Sequence, residues 1–151
     1  MYRLIARLWH MIRGPWQWRM LWFAHAKFMI GVTGVVRDSG GRVLLLRHRM
    51  WSEGRQWGLP TGYARARETF QETVVREVRE ETGLRVAVGD LVRVRSGYRL
   101  RAEVAYEAVY LGGELRLNSL EVLDAGWFAQ DDLPAGVIDG HLALIEGKPA
   151  D

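Results

Sequence analysis

Residues 76–84 of the chain read REVREETGL, so Glu77, Glu80 and Glu81 crowd into one short stretch. On a helix advancing about 100° per residue, Glu80 and Glu81 fall roughly 60° and 40° to either side of Glu77. The three carboxylates then share one face and repel one another. Val74, Val75 and Val78 occupy the adjoining arc, which predicts that the helix docks through its valines and turns its acidic face toward a cleft. Arg76 stands four residues after Glu72 and four before Glu80, the spacing for ion pairs with both. Two readings compete. One is a solvated, salt-bridged helix face, the ordinary meaning of such charge patterning. The other is a group of carboxylates kept together for chemistry, with something to offset their repulsion.

The residues upstream favour the second reading. From Gly62 the chain runs GYARARETFQETVVREVREETGL. This resembles the Nudix box, G-x5-E-x7-R-E-U-x-E-E-x-G-U with U apolar. Every specified position is filled: Gly62, Glu68, Arg76, Glu77, Val78, Glu80, Glu81, Gly83 and Leu84. With average residue usage, a chance match has a probability of about 10⁻⁹ per start site. Trp57-Gly58-Leu59-Pro60 before the box is also similar to the family, as are Trp127-Phe128 and Asp132-Leu133-Pro134 near the end.

The resemblance implies an α/β fold, a Nudix-type α/β/α sandwich whose box forms a loop–helix–loop beside a mixed sheet. It implies hydrolysis of a diphosphate linkage, typically in a nucleoside diphosphate derivative, with Mg²⁺ or Mn²⁺. The glutamates would then cluster because a divalent cation offsets their repulsion; Mg²⁺ takes carboxylate and carbonyl oxygens, keeps waters and bridges to phosphates. Carried over by position, Glu77, Glu80 and Glu81 match the metal-binding and water-activating carboxylates, and the general base differs among family members. Gly62 matches the glycine whose carbonyl joins the metal shell. Arg76 and Glu68 match residues that orient the carboxylates and brace the loop. Glu103, Glu107 and Glu121 are candidates for a further acidic ligand.

Some positions depart from the family's habit. Thr61 and Arg67 stand where glycine is frequent, Arg65 near a usual acidic residue and Thr73 where alanine is common. Arg65 and Arg67 are either a solvated basic loop or contacts to substrate phosphates, since arginine suits bidentate phosphate binding. Trp51, Trp57 and Tyr63 are aromatic surfaces on which a base could stack, with Trp57 the more structural of them. Tyr98 reads as a strand or hairpin residue. The rival to catalysis is a non-catalytic or regulatory Nudix module acting in ligand binding or at a membrane surface.

The positioning elements are legible around this motif. Thr69–Thr82 predicts the strongest helix, closed by Gly83. Strands are expected at Phe28–Val36 and Arg42–His48 around the turn Asp38-Ser39-Gly40-Gly41. Others are expected at Arg85–Arg95, Arg99–Leu111 and near Gly126–Ala129, with turns at Ser96-Gly97 and Gly112-Gly113. Arg49–Arg67 reads as a loop, and Val137–Glu146 as a closing helix.

Ahead of the expected Nudix domain, 28–151, residues 1–27 form a separate amphipathic helical extension. Ile5, Leu8, Trp9 and Ile12 repeat with helical spacing, Gly14-Pro15 breaks the run, and Trp18, Leu21, Trp22 and His25 repeat it. No acidic residue precedes Asp38, whereas Arg3, Arg7, Arg13, Arg19, Lys27 and Arg37 do. Arg13, Arg19, His25 and Lys27 interrupt any membrane-spanning run. Arg7, His10 and Arg13 argue against a signal peptide. Such stripes need a covering partner. The expectation is burial against protein, on the Nudix core or on a second subunit with a homodimer the favoured form, and peripheral contact to an anionic membrane as the secondary reading. The chain of 151 residues has no cysteine and a net charge of +3. That composition suits one globular domain, excludes thiolate metal sites and permits a reducing compartment. The expected location is cytoplasmic and the expected partner a small diphosphate, without sequence-specific nucleic acid binding.

Overall fold

The structure, a computed structural model, describes residues 2–12, 14–97 and 100–148. Tyr98 and the expected strand start at Arg99 lie outside the described residues. The elements are α1 (Tyr2–Met11), α2 (Pro15–Ala24), β1 (Met29–Arg37), β2 (Val43–His48), β3 (Trp57–Gly58), β4 (Thr61–Tyr63), α3 (Phe70–Thr82), β5 (Arg85–Gly97), β6 (Arg101–Gly112), β7 (Val122–Phe128) and α4 (Asp139–Ile145).

A mixed sheet runs β3-β2-β1-β6-β5, with β4 paired to β1 and β7 to β2. β1 and β6 are parallel, Gly31 facing Glu103, and the other pairs are antiparallel. β1 is buried over most of its length, as a strand covered on both faces must be. The period of two then sorts its neighbours. Leu44 and Leu46 join Val32, Val36, Val74 and Val78 on the α3 side. Val43 and Leu45 join Val35, Leu59, Leu144 and Ile145 on the α4 side. The result is the expected sandwich of helix, sheet and helix.

α3 starts where its cap chemistry dictates. The Thr69 hydroxyl accepts from the Glu72 amide while the Glu72 carboxylate accepts from the Thr69 amide, a capping box. Gly83 ends the helix in the left-handed region at φ 74°. This box corrects one expectation: Glu72 is spent on the cap and does not pair with Arg76. A second correction concerns Val75, which is 40% exposed; of the three valines, only Val74 and Val78 pack into the core.

The span 49–67, read as a loop, contains β3 and β4. Both are too short to show a strand period, and long-range pairing creates them: Trp57 with Arg47, and Thr61 with Thr33. β7 begins at Val122, earlier than expected, because it runs antiparallel along β2. The closing helix is shorter than 137–146. Trp57 donates to the Gly136 carbonyl and Ile138 to the Trp57 carbonyl, each at 3.2 Å, which holds Val137 in a parallel bridge with Trp57 and Ile138 extended.

α1 and α2 flank Gly14, which adopts φ 72°, and Pro15, which opens α2. No residue of α2 is buried, and Trp18 is 75% exposed. α2 contacts α1 through the Gln17 side chain, which donates to the Trp9 carbonyl at 2.8 Å, and its aromatic and aliphatic side chains stay largely exposed. No described helix is long and apolar enough to cross a membrane.

Candidate active site

A cleft of about 510 Å³ opens where α3 meets β1 and β4; Gly62, Glu77, Glu80, Glu81 and Glu121 share its walls. β4 places Gly62 opposite Val32, and α3 brings the glutamates to the same opening. A Cβ on Gly62 would overlap the Glu77 carboxyl, so only glycine allows that side chain against the strand.

Arg76 is the hub of the acidic face. It donates from Nε to Glu68 Oε1 at 2.7 Å, from Nη1 to Glu77 Oε1 and to Glu80 Oε2 at 3.2 Å, and from Nη2 to the Tyr63 carbonyl at 3.1 Å. Its fork thus joins helix, loop and β4, which lysine's point charge would not reproduce. The same guanidinium, with the Arg65 amide and the Thr73 hydroxyl, pulls the Glu68 carboxyl down to about 2. Thr73 is fully buried and donates to Glu68 Oε2 at 2.9 Å, which gives this departure from alanine a bracing contact.

Glu81 differs from its neighbours. It is 4% exposed, and its Oε2 has no hydrogen-bond partner among the described residues. Burial, then the nearby charges of Glu77, Glu121 and Glu80, push its carboxyl up to about 9. Beside it, at 4.0 Å from Oε1, lies His48 Nδ1. Burial lowers the His48 imidazole to about 4. In the metal-free chain at neutral pH the pair is therefore an uncharged acid beside an uncharged imidazole.

The three further acidic candidates separate clearly. The turn at Asn118, whose carbonyl accepts from the Glu121 and Val122 amides, delivers Glu121 to the cleft. Glu103 pairs with Arg101 at 3.1 Å in a neighbouring cavity, and Glu107 lies 3.5 Å from Arg37. Arg65 lines the cleft and bonds both Glu80 oxygens, at 3.3 and 3.1 Å. Arg67 faces a different groove and holds φ 69°, the left-handed conformation that explains glycine's frequency there. Trp51 and Tyr63 line the cleft, whereas Trp57 packs on Phe128 in the core.

Among the described residues, no three acidic or imidazole side chains already converge as a metal cage. Arg76 and Arg65 hold the glutamates instead. The donor set nevertheless fits a hard divalent cation: carboxylate oxygens, the Gly62 carbonyl nearby and a buried Glu81 oxygen lacking any partner.

Sequence reasoning missed the buried wall behind Glu81. His48 closes an apolar strand, Trp51 stacks on it with ring centroids 3.9 Å apart, and His141 meets Trp51 edge-on at 5.7 Å. The one available signal was a histidine where β2 should carry another aliphatic side chain. His141 Nδ1 accepts from the Leu59 amide at 2.9 Å, and burial lowers this imidazole to about 3. The unfolded chain takes up that proton first, near pH 6.5, so His141 costs stability as pH falls from there toward 3. Urea midpoints measured from pH 7 to 4.5 should therefore fall less steeply in His141→Gln than in the parent; Glu81, acting oppositely, cancels in this comparison.

The sandwich and the arginine-braced acidic helix define a Nudix-type domain. A family model described as the NUDIX domain matches residues 27–146, and the chain belongs to that family. It is 36% identical over 112 residues to the NAD-capped RNA hydrolase NudC of Pectobacterium carotovorum, covering 71% of this chain and 42% of that protein. It is 35% identical over 112 residues to the putative mutator protein MutT4 of Mycobacterium tuberculosis, covering 69% of this chain and 45% of that one. The chain thus spans less than half the length of these curated relatives. Among solved structures, the MutT NUDIX hydrolase from Burkholderia pseudomallei superposes with a TM-score of 0.70 at 27% identity, covering 80% of this chain and 98% of that one. An ADP-ribose pyrophosphatase from Streptococcus suis superposes at 0.62, also at 27% identity, covering 78% and 88%.

Proposed function

We propose that the chain hydrolyses a diphosphate linkage in a nucleoside diphosphate derivative with the help of Mg²⁺, Mn²⁺ being the alternative ion. The observation that carries this reading is the buried Glu81 carboxyl, whose Oε2 has no partner among the described residues, in a cleft shared with Glu77, Glu80, Glu121 and Gly62. A solvated helix face would bury no carboxyl. A vestigial, ligand-binding module would have no reason to keep so unfavourable a group.

Glu77, Glu80 and Glu81, with the Gly62 carbonyl, would hold the cation, and Glu121 is placed to join them. When bound, such an ion neutralises phosphate charge and lowers the pKa of a water. The chain's own residues supply the rest. Arg76 fixes Glu77 and Glu80 through hydrogen bonds and, with Glu68, braces the loop that follows β4, the strand that carries Gly62. Arg65 sits where it can exchange Glu80 for a substrate phosphate. Trp51 and Tyr63 offer surfaces for a base. A panel of ADP-ribose, nucleotide sugars, dinucleoside polyphosphates, nucleoside triphosphates and non-nucleoside diphosphates, each with Mg²⁺ and with chelator, tests the reading; no turnover of any member would overturn it.

Residues 1–27 carry a second function in this account. α2 bears Trp16, Met20 and Phe23 on one side and Trp18, Leu21 and Trp22 on the other, all exposed. A lipid plane covers one side of a helix, whereas a second copy of the chain can close around both, which favours a homodimer over peripheral membrane contact. Deleting residues 1–27 should lower dimer content and thermal stability in lipid-free buffer. An equally stable truncated chain of unchanged size that no longer floats with anionic liposomes would transfer the role to the membrane.

A further inference from the structure

Next to the acidic cleft lies a cavity of opposite character. It has a volume of about 150 Å³ and shares Gly31, Trp51, Thr61 and Arg101 with the cleft. Strand periodicity brings its charged side chains together: Arg93 and Arg95 lie two apart on β5, and Arg101 and Glu103 two apart on β6. Arg93 faces Ala105 across the ladder and Arg95 faces Glu103. Three guanidiniums thus converge beside one carboxylate.

That carboxylate serves Arg101, at 3.1 Å, and Arg101 also donates to the Tyr63 hydroxyl at 3.2 Å. Arg93 donates from Nη2 to the Gly140 carbonyl at 2.8 Å, but its Nη1 is buried with no partner among the described residues. A buried cationic N–H without an acceptor is costly, and it marks where an acceptor belongs. Planar guanidiniums match phosphate oxygens in bidentate geometry.

We propose that this cavity is a subsite for a second phosphate on the substrate, distinct from the diphosphate that is cleaved, received by Arg93, Arg95 and Arg101. It rests on the hydrolase reading for its place beside the cleaved bond. Arg101, on the shared wall, sets the order: diphosphate against the carboxylates, Arg101 at the junction, additional phosphate beneath β5. The ligand class is therefore a nucleotide derivative carrying a phosphate ester away from the diphosphate. That ester is either a terminal phosphomonoester or the first phosphodiester of an oligonucleotide.

Matched pairs test this. ADP-ribose is compared with its 2′-phosphate, and NAD with a short NAD-capped oligonucleotide, by KM with Mg²⁺ and by calorimetric binding without divalent metal. At least about a tenfold preference for the phosphate-bearing member of one pair is expected, and which pair shows it assigns monoester or diester. In Arg95→Gln, an exposed position where folding is not at stake, and in the Arg95→Gln, Arg101→Gln double variant, the ratio of the two values should collapse toward one. Equal values within both pairs in the parent would overturn the subsite, as would a preference that survives the double variant. Discrimination in metal-free binding without any turnover would keep the subsite and remove the hydrolase reading instead.

Discussion

Replacing Glu80 or Glu81 by Gln should cut turnover by about 10² to 10⁴-fold while the fold survives, the range expected when a group essential to proton transfer or charge stabilisation is lost. Glutamine keeps the size but cannot ionise and turns one acceptor oxygen into a donor, so the losses report on the carboxylate's charge and its capacity to ligate. Glu81→Gln carries a second expectation, of opposite sign. The parent's Glu81 carboxyl is raised to about 9, above its unfolded value of 4.5. Relative to glutamine, its stability is complete below 4.5 and is lost progressively as pH rises toward 9. Without metal at pH 7, Glu81→Gln should therefore be the more stable protein, by on the order of 2 kcal/mol. Added Mg²⁺ should raise the parent's melting temperature by mass action and leave this variant unmoved. Near-parental turnover in both variants at saturating Mg²⁺ would remove Glu80 and Glu81 from the site.

Arg76→Met should be strongly destabilising, costing about 3 kcal/mol, the low end for breaking a buried ion pair. The reason is arithmetic of charge. The Arg76 side chain is only 15% exposed and serves Glu68, Glu77 and Glu80 together. Without it, three carboxylates lose their shared partner and repel one another. Because Glu68 is held down at about 2, its share of the stability is present above pH 4.5 and disappears as pH falls toward 2. The parent and Arg76→Met should accordingly converge in stability at low pH, as denaturant titrations at pH 7 and pH 3 would show. A constant gap between them would mean that packing, not charge, sets the cost.

The acidic helix α3 was legible because its signals are local. Thr69, Glu72 and Gly83 define the ends of α3 through neighbours in sequence, and the spacing of Glu77, Glu80 and Glu81 follows from helical period. What escaped depends on contacts between distant segments. β3 and β4 exist only because β1 and β2 lie beside them, so a span read as a loop carries Gly62 on a strand. Arg76 chose Glu68 over Glu72 because the capping box had already taken Glu72, a competition that spacing alone cannot decide. Glu121 could not be ranked against Glu103 and Glu107 until the turn at Asn118 showed which of them reaches α3. The approach of His48 to Glu81, at 4.0 Å, depends on β2 lying beside α3 and left no trace in either stretch. Burial of Glu81 itself was likewise invisible, since a wheel shows which residues share a face but not what covers them.

Hydrolysis as proposed is attack by water on phosphorus in a diphosphate, and solvent labelled with ¹⁸O reports where that water's oxygen goes. With the best substrate of the panel and Mg²⁺, mass spectrometry of the products should find one ¹⁸O on a phosphate group, with turnover rising toward alkaline pH as the attacking water loses its proton more readily. Label found only on a carbon-bound oxygen would contradict the account.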